Sequence, residues 1–435
     1  MTNSNEQTPV SNPVTERIAA SLRKRHRKEK VFRLLGLMAV SLGFLLVLVL
    51  IADITYKAIP AFHQHWVKID IDYQTEWLSI ENLNQENPSQ EQLQSANYRK
   101  VLKRSVYQMF PEVKGRKDKR KLFKLFSTNA EFKIKEQLLT TPNLFSNKTT
   151  VWVRLDDDAD TYLKDGIEIG QASARIDQKQ ASWIKKLIDE DRINKKFNTS
   201  FFTSGDSREP ELAGVKGALA GTILTMLVTL VLSFPLGVAA ALYLEEFAPR
   251  NRWTDIIEVN INNLAAVPSI IFGLLGLAVI INMFGLPRSA PLVGGIVLSL
   301  MTLPTIIIAS RASIKAVPPS IREAAMGIGA SKMQTTFSHV LPMAMPGIMT
   351  GTIIGLAQAL GETAPLLMIG MVAFIVDVPT SVSDAATVLP VQIFLWADSP
   401  ERAFLAKTSA AILVLLGFLL VMNITAAMLR KKFEK

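Results

Sequence analysis

Three stretches of the chain stay apolar for longer than a soluble helix requires, and polar segments separate them. Leu34–Ile54, much of Gly217–Met371 and Thr408–Met428 each reach the roughly 20 residues that carry an α-helix across the hydrocarbon core of a bilayer. Divided at their polar interruptions, they predict six spans: Leu34–Ile54, Gly217–Leu244, Asn263–Met283, Pro291–Ser310, Pro346–Val376 and Thr408–Met428. Between the first two, Pro60–Glu211 has balanced charge, scattered aromatics (Trp66, Trp77, Trp152, Trp183) and strand-like patches such as Thr149–Leu155. That segment is long enough to bury a core of its own. The pattern predicts an all-α polytopic membrane domain of six transmembrane helices, with an inserted soluble α+β or mixed extracytoplasmic domain. The expected divisions are a disordered polar tail over 1–31, a first transmembrane helix over 32–59, the soluble domain over 60–211, and a membrane domain over 212–435 with a cytoplasmic loop at 311–345.

Composition sharpens this picture. Hydrophobic residues make up 49% of the chain and charged residues 20%, and the two kinds are segregated. The net charge of +10 raises nucleic-acid binding, but the basic residues concentrate at Arg23–Arg33, Lys114–Lys124 and Arg430–Lys432. The first and last groups flank spans, as lysine and arginine do on the cytoplasmic side. Both termini are therefore expected in the cytoplasm, together with Arg250, Arg252, Arg311, Lys315, Arg322 and Lys332. The Lys114–Lys124 cluster does not oppose this, because long loops cross largely regardless of charge. Nucleic acid is excluded as a partner and membrane lipid takes its place. The first apolar run exceeds the core of a secretory signal and lacks a small-x-small cleavage site, so it reads as an uncleaved anchor.

Enzyme chemistry finds no support in the residue inventory. The chain has no cysteine, no G-x-x-x-x-G-K-[ST] loop, and no nucleophile–base pair or metal-ligand cluster. No cofactor and no metal are expected. His26, His63, His65 and His339 are scattered, with His63 and His65 read as a surface pair. If ATP drives this protein, a separate subunit binds it.

Two segments carry candidate chemistry. In the loop Val317–Gln334, Ser320 with Glu323 fits a capping box that starts a short helix after two prolines. Gly329 suits the left-handed turn that ends it, and Ser331 with Gln334 fits a second capping box. Small Ala324 and Ala325, with apolar Ile321 and Ile328, allow this helix–glycine–helix elbow to dock on another protein. They equally allow it to rest on its own membrane domain. Within the fifth span, Glu362 places a carboxylate in an apolar helix, where an acidic side chain costs about 2.5–3.5 kcal/mol unless it faces protein, water or a cation. Gln358 lies four residues earlier on the same helical face. Gly361 permits close backbone approach, and Pro365 breaks the helical hydrogen bonding. A transport-path role and an interhelical pair both fit Glu362.

These motifs carry a family resemblance. Glu323-Ala324-Ala325, Gly329 and Leu341-Pro342 resemble the signature loop of ABC-importer permeases, the segment that docks into the ATPase subunit in that family. Gly361-Glu-Thr-Ala-Pro-Leu-Leu, the stretch from Pro235 to Arg252, and Val267-Pro-Ser-Ile-Ile-Phe-Gly-Leu-Leu-Gly-Leu resemble the PstA-type permeases of phosphate importers, over about Lys216–Lys435. The resemblance implies a type I importer with a second homologous permease subunit, an ATPase dimer and an extracytoplasmic phosphate-binding protein, in a bacterial inner membrane. It implies that Glu323, Ala324, Ala325, Gly329, Leu341 and Pro342 couple to the ATPase, and that Glu362, Gln358 and Thr363 lie on the translocation path or in a charge pair. The chain departs from the family pattern at His339, where an aliphatic residue is usual, and at Gln358, where an arginine is common. Its soluble insertion is absent from shorter members. Other oxyanions such as phosphonate or molybdate, or a membrane-anchored sensor working through Pro60–Glu211, remain as alternatives.

Overall fold

A computed structural model describes residues 13–433 apart from 81–88, 146, 167, 169, 174 and 373. The chain divides after Tyr56 into two units. Among the described residues the first is helical throughout; its helix starts at Pro13 and runs on to Ala58, just past the division, so helix extends well upstream of Val31, where a disordered tail was expected to end. Residues Met1–Asn12 of that tail lie outside the described residues. Leu34, Val40, Phe44, Leu46 and Leu50 are all exposed on it. A helix apolar all round suits lipid rather than water.

The second unit combines an extramembrane part with a helical membrane part. In the extramembrane part, strands β1 (His63–Asp72), β2 (Lys148–Arg154) and β3 (Ile193–Phe197) form an antiparallel sheet with β1 in the centre. Register is set by Val67 opposite Val153 and Ile193, and by Ile69 opposite Val151. Val67, Ile69 and Ile71 recur at period two on β1 and are fully buried. This is the face that a pleated strand turns to a core. Helices Tyr98–Met109, Ala130–Thr140 and Gln178–Asp189 cover it with Val101, Leu102, Val106, Ile134, Leu138, Ile184 and Leu187.

His65 does not sit in a surface pair with His63. Its Nδ1 lies 2.8 Å from Asp160 Oδ1, and Lys164 holds the other oxygen at 2.5 Å. Because β1 is the central strand, His65 turns into the seam with the helix Asp157–Lys164. Burial of Asp160 opposes its ionisation, but the His65 and Lys164 contacts outweigh it and hold the carboxyl below its ordinary pKa.

The extramembrane part is fixed to the adjoining ends of the membrane helices. Trp396 Nε1 donates to Asp206 Oδ1 at 3.0 Å, Gln392 Nε2 to the Gly214 carbonyl at 3.0 Å, and Lys407 Nζ to the Ala213 carbonyl at 2.5 Å. Arg175 reaches Glu401 and the Pro400 carbonyl. The loop Asp377–Lys407 is therefore structured: it holds the helix Leu389–Ala397 and the start of the last helix, Ala403–Phe433.

Long apolar helices cover Lys216–Phe247, Pro291–Lys315, Lys332–Gly361 and Ala403–Lys432. With the first helix, these are the five continuous candidate spans among the described residues. The predicted third span, Asn263–Met283, is not one straight helix. Arg252–Ala265 and Ser269–Ile281 meet at 103°, because the Val267-Pro268 step ends the first helix and Pro268 precedes the second. The expected cytoplasmic loop Glu245–Asn262 is accordingly mostly helical. Small residues bring the central helices together: Gly237 packs on Ile306, and Gly351 on Ala309. Without a hydrophobic driving force inside lipid, such close van der Waals contact is what holds spans side by side.

Candidate functional site: an anchored elbow and a broken span

The elbow follows the helix Pro291–Lys315. Its first helix, Pro319–Gly327, has Pro318 at the N-cap and no side-chain cap. The expected Ser320–Glu323 capping box does not form: Pro319 pre-sets the helical φ one residue early, so Ser320 already lies inside the first turn. At the other end Gly329 has φ +93°. The Gly329 and Ala330 amides donate to the carbonyls of Met326 and Ala325 at 3.0 and 3.1 Å, closing the helix. Ser331 and Gln334 form the predicted reciprocal cap, with bonds of 3.2 and 2.9 Å. From Lys332 the chain runs through a wide turn, Thr336–Val340, into Leu341–Gly361, with Pro342 in its first turn. His339 sits exposed on that wide turn.

The inner face of the elbow is clamped. Arg322 donates Nε and Nη2 to Glu246 Oε1 at 3.0 and 2.8 Å, Nη1 to the Val317 carbonyl at 2.7 Å, and Nη2 to the Ile314 carbonyl at 2.9 Å. Arg311 bridges Glu245 at 2.8 Å and Glu258 at 2.6 Å. Glu245 and Glu246 stand on the wide turn Tyr243–Phe247 that ends the Lys216–Leu242 helix. Ile321 and Leu341 pack on a core of Val238, Leu242, Ile314, Val340 and Ile348. The outer face is open. Glu323 and Ala324 are exposed, Ile328 at the apex is 86% exposed, and Met326 before it and Met333 and Phe337 after it in the chain are exposed as well. Of the predicted coupling residues, Ala325 is buried and Leu341 half-buried, whereas Glu323, Ala324, Gly329 and Pro342 face outward.

The predicted fifth span breaks at the carboxylate. Its helix ends at Gly361, Glu362 is extended (φ −82°, ψ 118°), and a short helix, Ala364–Met368, follows. Glu362 is thus at a helix end rather than inside a continuous span, as the missing amide and the ring of Pro365 require. The close backbone approach expected at Gly361 is absent there, since a Cβ at Gly361 would meet nothing within 4 Å. It occurs across the break instead: a Cβ on Gly273 would lie 2.6 Å from Pro365 Cα. Gln358 is exposed, and Glu362 and Thr363 are half-buried. No hydrogen bond joins Gln358 to Glu362, and among the described residues no side chain of this chain pairs with the Glu362 carboxylate.

The ion pairs behind the elbow were not foreseen. Arg311 and Arg322 read as topology signals, and their partners lie 53 to 76 residues away. The signal available was the doubled acid Glu245-Glu246 directly after an apolar span.

The family profile described as "Binding-protein-dependent transport system inner membrane component" matches residues 233–435, and that described as "Domain of unknown function (DUF3333)" matches residues 19–172. The chain is similar to the "Phosphate transport system permease protein PstA 1" of Mycobacterium tuberculosis, 33% identical over 217 residues, covering 50% of this chain and 70% of the relative. The corresponding PstA of Yersinia pestis is 31% identical over 220 residues, covering 50% of this chain and 73% of the relative. Among solved structures, an inward-facing MetNI methionine ABC transporter aligns with a TM-score of 0.39 at 18% identity, covering 51% of this chain and 94% of that one. With its multi-pass helical membrane part, the chain belongs to the PstA family of phosphate transport system permeases and is a permease subunit of an ABC importer.

Proposed function

We propose that this permease carries inorganic phosphate across the bacterial cytoplasmic membrane, with both termini in the cytoplasm, and that its elbow transmits ATP hydrolysis from a separate ATPase dimer. The supporting observation is the two-sidedness of the elbow. Arg322 and Glu246 fix its inner face to the membrane helices, while Ile328, Met326, Met333 and Phe337 present an apolar outer face. An exposed apolar patch rimmed by polar groups suits a protein interface. Glu323 and Ala324 are exposed on the same short helix as Met326, and Gly329 sets the turn that follows it. Residues 60–211 are assigned to the extracytoplasmic side, where they meet the phosphate-binding protein.

A second homologous permease subunit completes the path in this reading. Glu362, Gln358 and Thr363 stand at the break, and the Glu362 carboxylate has no partner in this chain among the described residues. A cation from the second subunit, facing Glu362, both neutralises the carboxylate and attracts the anion. Hydrogen phosphate keeps a hydroxyl donor that sulfate lacks, so a carboxylate acceptor on the path discriminates between them. Glu362→Gln is expected to lower phosphate uptake at least about tenfold, with normal assembly of the complex, as loss of one charge-assisted contact of about 1.5–3 kcal/mol implies. Uptake at the parental rate removes Glu362 from the path. Competition by sulfate, phosphonate and molybdate in the same assay tests the cargo, and displacement of phosphate by one of them at equal concentration would reassign it.

A further inference from the structure

A cluster of acids lies where the extramembrane part meets the lead-in to the Lys216–Leu242 helix. Asp156 lies two residues beyond the end of β2, and Glu209 and Glu211 precede the helix by a few residues. One carboxylate oxygen from each lies within 4.8 Å of the others. Clustered acids alone are commonplace on protein surfaces, but here two of the three are buried and Glu209 is half-buried. Asp156 is 8% exposed and Glu211 3%. Asp156 is the N-cap of the helix Asp157–Lys164, the position where an aspartate ordinarily accepts an amide hydrogen bond, yet its side chain makes no such bond. Its carboxylate has no hydrogen bond or ion pair among the described residues. Glu211 accepts from Ser127 Oγ through Oε1 at 2.5 Å, while its Oε2 is buried with no partner.

No nearby cation hydrogen-bonds or ion-pairs with the three carboxylates among the described residues, although Arg154, whose Nε has no partner, acts on Glu211 through space. Arg154 donates to the Glu211 backbone carbonyl and to Ser200 Oγ rather than to the Glu211 carboxylate. Lys407 donates to the Ala213 carbonyl. Lys124 and Arg175 hold Asp158 at 3.3 and 3.0 Å, which also removes the neighbouring trio Asp156, Asp157 and Asp158 as the better site. A buried carboxylate oxygen without a donor is costly. Three clustered carboxylates, one with a buried unpartnered oxygen, supply a ligand set for a bound cation.

We propose that Asp156, Glu209 and Glu211 form a binding site for a hard divalent cation of the calcium or magnesium class, which pins the end of β2 to the segment entering the membrane. The donor set is entirely carboxylate, which suits a hard ion rather than zinc or copper. Calcium takes oxygen ligands at roughly 2.3–2.6 Å, so two ligands on opposite sides stand about 5 Å apart. The observed spacing fits within that span.

The test uses the full-length chain in detergent, stripped with chelator and titrated separately with calcium and with magnesium by equilibrium dialysis and thermal unfolding. One saturable ion per chain is expected for at least one of the two metals, with a melting temperature that rises with its concentration. Glu211→Gln should weaken that binding at least about tenfold, whereas Asp158→Asn, outside the three ligands, should leave it within about twofold. Should Glu211→Gln fail to fold, Glu209→Gln at the half-buried position serves the same comparison. No saturable binding of either metal up to about 10 mM, roughly tenfold beyond the weak end of extracellular calcium sites near 1 mM, would overturn the proposal. Equal binding by the Glu211→Gln, Glu209→Gln and parental chains would also overturn it, by placing the ion elsewhere.

Discussion

Arg322→Ala should abolish most phosphate uptake while leaving the chain inserted in the membrane. Arg322 is the single side chain that ties the elbow both to Glu246 and to the carbonyls of Ile314 and Val317. Glu246 is 9% exposed and Arg322 21%, so removing the guanidinium strands a largely buried carboxylate. Breaking such a pair costs about 3–5 kcal/mol. A loss at the low end of that range shifts the elbow from docked to undocked by about a hundredfold, since each 1.4 kcal/mol is a factor of ten. The apolar outer face would survive but would no longer be carried by the membrane helices. Uptake should fall at least about tenfold, and the ATPase should still co-purify through Ile328 and its neighbours. The check is radiolabelled phosphate uptake beside the stoichiometry of the purified complex. Parental uptake in Arg322→Ala would show that the clamp is dispensable for coupling.

Gly273→Ala carries the second large effect. The added methyl would meet Pro365 Cα at 2.6 Å and its carbonyl oxygen at 2.9 Å. Both are backbone atoms, so no side-chain rotation relieves the contact. Relief requires moving the Glu362 break away from the bent helix pair. Overpacking of this kind costs about 1–3 kcal/mol and sometimes more, and here the strain falls on the break at Glu362 that is proposed to line the path. A lower melting temperature and a several-fold loss of uptake are expected. Gly361→Ala is the control, because its methyl would meet nothing in this chain within 4 Å. If Gly361→Ala proves as damaging as Gly273→Ala, the packing partner at the break lies in another subunit.

Much of the fold was legible because hydrophobic length and turn chemistry are local signals. The first, second, fourth and last apolar runs became helices, Thr149–Leu155 became β2 within a residue, and Gly329 and the Ser331–Gln334 cap took their expected geometry. Errors arose where a rigid residue or a distant partner decided the outcome. Pro268 bent the third apolar run, Pro319 displaced the Ser320 cap, and Pro365 with Gly361 ended the helix before Glu362. Hydropathy does not register such breaks, because the residues on both sides remain apolar. The ion pairs of Arg311 and Arg322, the Asp160 contact of His65 and the meeting of Asp156 with Glu209 and Glu211 are all non-local. A single sequence shows the charges but not their pairing.

The measurement closest to the central claim is phosphate-stimulated ATP hydrolysis by the reconstituted complex, comparing the intact chain with the Glu323→Ala, Gly329→Pro variant. Gly329 holds a φ of +93° that proline, fixed near −65°, cannot adopt, so the variant alters both the shape and the charge of the outer elbow. The variant complex should assemble and keep its basal hydrolysis but lose its stimulation by phosphate. Full stimulation in the variant would contradict the coupling role and leave the elbow as a structural bend.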